Sequence, residues 1–280
     1  MNPLQRTLIE KVGNDNGFEH VVLSEPDSVV LASARHPNRA IVSLEHGIYL
    51  VGFQTESPSL LPELHRSFPG AGQVSGAFGR GNEAELARLL NRAASLSRAL
   101  PCQAVHDYQQ AVAGALAQLP TSLVGTEMER WVRVRVGQDK FRQALLDYWG
   151  GACAVTGVAI PEVLRASHAL AWAECATDAE RLDVFNGFLL CAHLDALFDR
   201  FLISFDNQGA LLVTPSLARA DLRALGITPG LTLRWVNALH QPYLALHRAR
   251  CGRALDPLSG HFPIVQTQNE LNWAQGHPEP

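Results

Sequence analysis

GGACAVTGVAIPEVLRASHALAWAEC (150–175), followed closely by DAERLDVFNGFLLCAHLDALFDRFLISF (178–205), is the stretch that decides how this chain is read. Gly150-Gly151 stops a helix expected from about Gln138 to Tyr148, whose buried face is marked by Phe141, Leu145 and Leu146, with Trp149 just beyond. Ala152–Thr156 is a short apolar piece ending at Gly157, and Leu164–Trp172 is mixed, with His168 at its centre. Phe188–Cys191 reads as a strand and about His193 to Phe201 as a helix. Leu202–Phe205 and Ala210–Val213 follow as strands, joined by the turn material Asp206-Asn207-Gln208-Gly209. Asp195 and Asp199 are four residues apart on the expected helix, so they share one face and two carboxylates can approach a single cation.

A histidine titrates near neutrality and can accept a proton from water, while carboxylates suit a hard cation. Both are parts of metal-assisted hydrolysis. The arrangement resembles the HNH endonucleases, and is most similar to a zinc-free subgroup with an R-A-S-H-x-x-x-W strand, an N-G-x-L-L turn and an L-F-D-x-x-L-I-S-F helix-to-strand ending. The resemblance covers about residues 127–215. It extends upstream to R-V-x-V-G-Q-x-x-F-R-x-A-L-L, Arg133 to Leu146, and downstream to Pro242-Tyr243 and His247-Arg248.

The resemblance implies a ββα-metal finger: two strands and a helix around one divalent cation, Mg²⁺ or Mn²⁺, cutting DNA. In that frame the catalytic pair is His168, the general base, and Asn186, whose side chain ties the loop together and positions the histidine. Asp195, nine residues after Asn186, takes the third signature position as a metal ligand, and Asp199, one turn later, a second. The letters therefore run H-N-D, and Ser167 stands where many members carry a metal-binding residue before the base. Cys153 and Cys191 fill half of the zinc knuckle that other HNH proteins have, while Thr156 and Leu194 fill the rest, so no structural zinc is expected. A fold that keeps this shape but only binds nucleic acid is the alternative.

Arg130, Arg133, Arg135, Lys140 and Arg142 crowd one span opposed inside it only by Asp139, and with Arg165 they are the candidate DNA-backbone contacts. Trp131 and Trp149 read as core. The remaining histidines, His20, His36, His46, His65, His106, His240, His247, His261 and His277, have no partner at metal spacing and read as structural or exposed.

Upstream, Glu19–Leu23, Ser28–Ala32, Ala40–Leu44 and Gly47–Phe53 are rich in Val and Ile and separated by turn residues, which predicts an antiparallel meander. Ser57–Gly81 reads as loop with one short helix. Asn82 caps a helix marked by Leu86, Leu89, Leu90, Ala93 and Leu96, and a second helix spans about Gln103–Leu119. The expected class is α+β: an N-terminal α+β domain with an antiparallel sheet over 1–120, serving recognition or regulation, an HNH domain with its extension over 121–255, and a tail over 256–280.

Of 280 residues, 47% are hydrophobic and 18% charged, which is a globular composition and excludes a disordered chain. No run approaches the roughly 18 apolar residues of a membrane span, and MNPLQRTLIEKVGNDNG lacks the apolar core of an export signal, so a cytoplasmic setting is the default expectation. The five cysteines, odd in number and with no C-x-x-C pair, read as reduced thiols. The net charge of −4 does not itself call for nucleic acid, so the local basic cluster carries that expectation. Cutting two strands would call for two sites, which leaves a homodimer open.

Overall fold

The structure, a computed structural model, describes residues 1–70, 73–74, 76–119, 125–252 and 255–257. The expected boundary near residue 120, most of the expected tail with His261 and His277, and the side chain of Cys102 lie outside the described residues.

Helix α1 (Pro3–Asp15) opens the chain where the sequence reading placed no element. Its signal is a capping box: Gln5 N donates to Asn2 Oδ1 at 2.8 Å, Asn2 N donates to Gln5 Oε1 at 2.8 Å, and Pro3 sits in the first turn. Strands β1 (His20–Ser24), β2 (Val29–Ala32), β3 (Arg39–Glu45) and β4 (Ile48–Gln54) then form the expected antiparallel meander. Val29, Leu31, Ala40, Val42 and Val51 alternate into the core at 0% exposure, as a half-buried sheet requires. The stretch read as mostly loop holds α2 (Leu60–Ser67), β5 (Gln73–Val74) and β6 (Ala77–Arg80), which extend the sheet to the order β1-β2-β3-β4-β6-β5.

Helix α3 (Glu83–Ala99) is capped by Asn82, whose Oδ1 accepts from Glu85 N at 3.0 Å, and α4 (Pro101–Ala117) follows. Next comes α5 (Thr126–Trp149), which begins well before the expected Gln138 and ends at Gly150, left-handed at φ 66°. It packs against α3 and α4 and against the later finger, so apolar residues are needed on several of its faces and no single stripe announces its first turns. One expectation is corrected here: Trp131 is 62% exposed rather than core, whereas Trp149 is fully buried.

The finger is β7 (Leu164–His168), α6 (Asp178–Leu182), β8 (Gly187–Cys191) and α7 (Ala192–Asp199). β7 and β8 pair antiparallel, with His168 opposite Gly187. The short apolar piece at residues 152–156 forms a turn, anchored by Ala154 N donating to Leu189 O. Strands β9 (Ile203–Phe205) and β10 (Leu211–Val213) make the expected hairpin; then come α8 (Arg219–Ala224), α9 (Gln241–Arg250) and β11 (Asp256–Pro257), which pairs with β10. The molecule is thus mixed helix and strand with an antiparallel N-terminal sheet, and no described helix is long and apolar enough to cross a membrane.

One polar cluster welds the two halves. Glu63 of α2 is 1% exposed and accepts from Arg66 Nε at 2.8 Å, Tyr148 Oη at 3.1 Å and Asn237 Nδ2 at 2.7 Å. Burial and the Glu63 carboxylate push the Tyr148 hydroxyl far above the ordinary phenol range, so it stays a donor. Beside it Arg92 of α3 donates to the backbone oxygens of Asp147 and Tyr148, both at 2.9 Å, and Arg98 pairs with Asp147.

Candidate active site

His168 ends β7 and lies flat on Phe141 of α5, ring centroids 3.7 Å apart at 16°, with Trp172 edge-on at 5.9 Å. Its Nε2 is 2.9 Å from Arg181 O. A carbonyl oxygen can only accept, so Nε2 carries the proton in that bond and the neutral ring keeps its lone pair on Nδ1. Burial pushes the imidazole down to about 4, against the hydrogen bond to Arg181 O, so the ring is neutral at physiological pH.

Two glycines permit this packing. A Cβ on Gly187 would meet Ser167 O at 2.5 Å and Phe141 Cζ at 2.6 Å, and one on Gly137 would meet Trp172 Cη2 at 2.0 Å. Gly187→Ala is therefore expected to force β7 and β8 apart and unseat the Phe141 ring beneath the histidine, costing about 1–3 kcal/mol of stability. Thermal melting checks this, and an unchanged midpoint would show that the strands absorb the methyl freely.

Asn186 is fully buried. Its Oδ1 accepts from Leu170 N at 2.8 Å, and its Nδ2 donates to Leu170 O at 3.2 Å and Glu180 O at 3.0 Å. The side chain thus staples the loop between the strands and is a positioning residue, out of reach of any substrate. Arg181, which the sequence reading did not single out, does similar work: its guanidinium donates to Trp172 O at 3.2 Å and pairs with Asp178, while its own carbonyl sets the tautomer of His168.

Asp195 and Asp199 project from α7. Ser167 Oγ, on β7, donates to Asp195 Oδ1 at 2.6 Å. Burial, then repulsion from Asp195, pushes the Asp199 carboxyl up to about 6, even though the residue as a whole is exposed at the mouth of the cleft. Neither carboxylate has an ion-pair partner among the described residues. No group of three or more His, Cys, Asp or Glu is placed to hold a metal among the described residues, which leaves Asp195 and Asp199 as the residues that could hold one. That fits a hard cation, since Mg²⁺ is commonly held by one or two carboxylates and keeps water for the rest of its shell. His193 does not line the cleft.

The cleft, about 540 Å³, brings His168 and Asp199 together with Trp172, Arg142, Arg165 and Gln138. Of the six basic candidates only Arg142 and Arg165 line it, and both guanidinium groups also hold backbone: Arg142 donates to Leu164 O at 2.7 Å and Pro161 O at 2.9 Å, Arg165 to Glu162 O and Leu164 O at 2.9 Å. Arg133 pairs with Glu129, Arg135 lies 3.7 Å from Asp139, and Arg130 is exposed without an ion pair among the described residues. Lys140 faces a different cleft, with Arg35 and Arg98.

Helix α9 clamps the site from behind. His247 stacks on Phe198 at 3.8 Å, donates from Nε2 to Phe198 O at 3.0 Å and accepts from Ser204 Oγ at Nδ1. Arg248 donates to Phe205 O, and Tyr243 to Asp183, which caps the turn leading to Asn186. Where a zinc knuckle would sit, Cys191 N donates to Cys153 Sγ at 3.4 Å and Thr156 Oγ1 lies 3.3 Å from Cys191 Sγ.

A family model described as HNH endonuclease matches residues 153–206. No curated protein matches the chain. The matched span runs from Cys153 through the histidine strand, the asparagine staple and the two-carboxylate helix to the start of the following hairpin, and the chain therefore carries an HNH endonuclease domain in its C-terminal half.

Proposed function

We propose that this protein is a metal-dependent DNA endonuclease of a restriction or defence type, with residues 1–120 supplying specificity. The observation that carries this reading is the convergence on one cleft of a neutral histidine, its Nδ1 lone pair left available, with Asp199, whose carboxylate is coupled to Asp195 and has no cationic partner. His168 Nδ1 takes a proton from water, whose oxygen attacks phosphorus as the bond to the 3′ oxygen breaks. A divalent cation, Mg²⁺ or Mn²⁺, held by Asp195 and Asp199, would supply positive charge against the charge growing on the departing oxygen. Ser167 keeps Asp195 oriented toward the strand that bears the base. Arg142 and Arg165 border the cleft, Arg130, Arg133 and Arg135 lie farther along α5 for backbone phosphates, and Lys140 faces the cleft it shares with Arg35 and Arg98. Hydrolysis of a phosphodiester does not itself require base contacts, which is why specificity is assigned to the N-terminal half.

The test is cleavage of unmodified and cytosine-methylated plasmid with Mg²⁺, Mn²⁺ or EDTA. Cutting that EDTA abolishes supports the reading, and the methylation contrast addresses the N-terminal half. Asp195→Asn and Asp199→Asn are each expected to raise the cation concentration needed for half-maximal cutting by about 10-fold or more. A variant with an unchanged requirement would remove that residue from the ligand set. Ser167 at a usual ligand position favours the second reading, a binding-only module, and plasmid that is shifted in a gel but uncut in every cation would select it.

A further inference from the structure

A second cleft of about 560 Å³ opens at the far end of α5, between α2, α3 and residues 234–235. Arg66, Arg88, Arg92 and Arg234 line it with Trp149 and Trp235, and no carboxylate does. The carboxylate of Glu63, buried behind Arg66, is already shared by Arg66, Tyr148 and Asn237. The guanidinium groups of Arg92 and Arg234 are held by neutral acceptors instead. Arg92 donates to Ser67 Oγ and the carbonyls of Asp147 and Tyr148; Arg234 donates to Trp149 O at 2.6 Å and Ala152 O at 2.8 Å. Arg66 and Arg234 lie over the Trp235 ring at 4.0 Å and 4.6 Å.

Each guanidinium has five N–H donors, so every one of these arginines keeps some to offer a ligand. Arg88 is exposed and makes no hydrogen bond or ion pair among the described residues. Trp149, fully buried, has an indole N–H with no partner. Just behind, Arg80 is 7% exposed and stacked at 4.6 Å on Phe68, which also lines the cleft, and its Nε and Nη2 are buried and unpaired. Burial, and then the charges of Arg66 and Arg234, push Arg92 down to about 10. Four arginines are thus crowded around one cleft with the single buried carboxylate of Glu63 behind Arg66, an excess of positive charge that an anion would relieve.

We propose that this cleft is a binding site for a phosphate group, distinct from the catalytic cleft and bridging the two halves of the chain. The arginine fork matches phosphate oxygens two at a time. Because Trp235 is already stacked by Trp149 and overlaid by Arg66 and Arg234, the phosphate rather than a base is what the cleft recognises. Trp149 lies seven residues beyond Arg142, the last α5 residue lining the catalytic cleft, about 10 Å along the helix axis, and the two clefts share no lining residue, so one phosphate does not fill both. The site does not depend on the nuclease reading.

The test uses the full chain in EDTA, with inorganic phosphate, a 5′-mononucleotide and a short DNA duplex as probes at matched ionic strength, followed by calorimetry and melting. Wild type is expected to bind at least one probe saturably. Arg88→Ala should weaken that binding about 10-fold, and Arg88→Glu should abolish it, with no change in melting temperature in the absence of the probe. If phosphate or the mononucleotide shows this dependence, the source is a free phosphate compound; if only the duplex does, it is the nucleic-acid backbone. Binding of all three probes that is absent, or identical in wild type and Arg88→Glu, overturns the proposal, whatever the cleavage assays report.

Discussion

His168→Ala is expected to lower the rate of plasmid cleavage by about 10²–10⁴-fold, the range a positioned acid–base group contributes. The loss follows from geometry: Nε2 is committed to Arg181 O, leaving Nδ1 as the ring's proton acceptor in the cleft. DNA affinity should be unchanged, because the neutral ring contributes no charge. Losing the stack on Phe141 costs about 0.5–1.5 kcal/mol of stability, far too little to explain such a rate. Added imidazole, which fits the space the side chain vacates, should restore part of the activity. A variant that cuts as fast as wild type would assign the proton to another group.

Glu63→Ala should have the largest effect on stability. It strands the Arg66 guanidinium, the Tyr148 hydroxyl and the Asn237 amide at a buried junction, and removing one partner of a buried charged network costs about 3–5 kcal/mol. Glu63→Gln keeps the shape and one acceptor and should cost less. Urea unfolding followed by tryptophan fluorescence measures both, since Trp149 and Trp235 lie beside the junction. Equal, small losses in the two variants would mean that the halves are held by apolar packing alone.

Much of this architecture is legible in the sequence, for identifiable reasons. The meander shows because β-branched runs alternate with turn residues, and α3 shows because Asn82 caps a clean leucine repeat. His168, Asn186, Asp195 and Asp199 fall on the strand, turn and helix expected of them because a local motif encodes a local fold. What escaped is what depends on distant partners. Arg142 reads as a DNA-backbone contact, yet it holds the carbonyls of Pro161 and Leu164. Glu63 sits in a stretch that reads as loop, and its buried role exists only once α5 and Asn237 arrive. The acceptor that sets the His168 tautomer is a backbone oxygen, which no residue letter at position 181 announces. Trp131 follows the rule that tryptophan is buried, and no element among the described residues covers it.

The unbroken run of α5 has a mechanical consequence. Its last carbonyls are gripped by Arg92 from the N-terminal half, and its middle carries the Phe141 ring on which His168 rests. A helix resists bending and stretching far more than it resists turning as a rod. Turning this one by about 20° would sweep a side-chain tip at roughly 5–6 Å from the axis through about 2 Å, enough to slide the phenyl ring out from under the imidazole. The screw position of one helix is therefore a shared coordinate of both halves: whatever the N-terminal half grips sets the seat of His168.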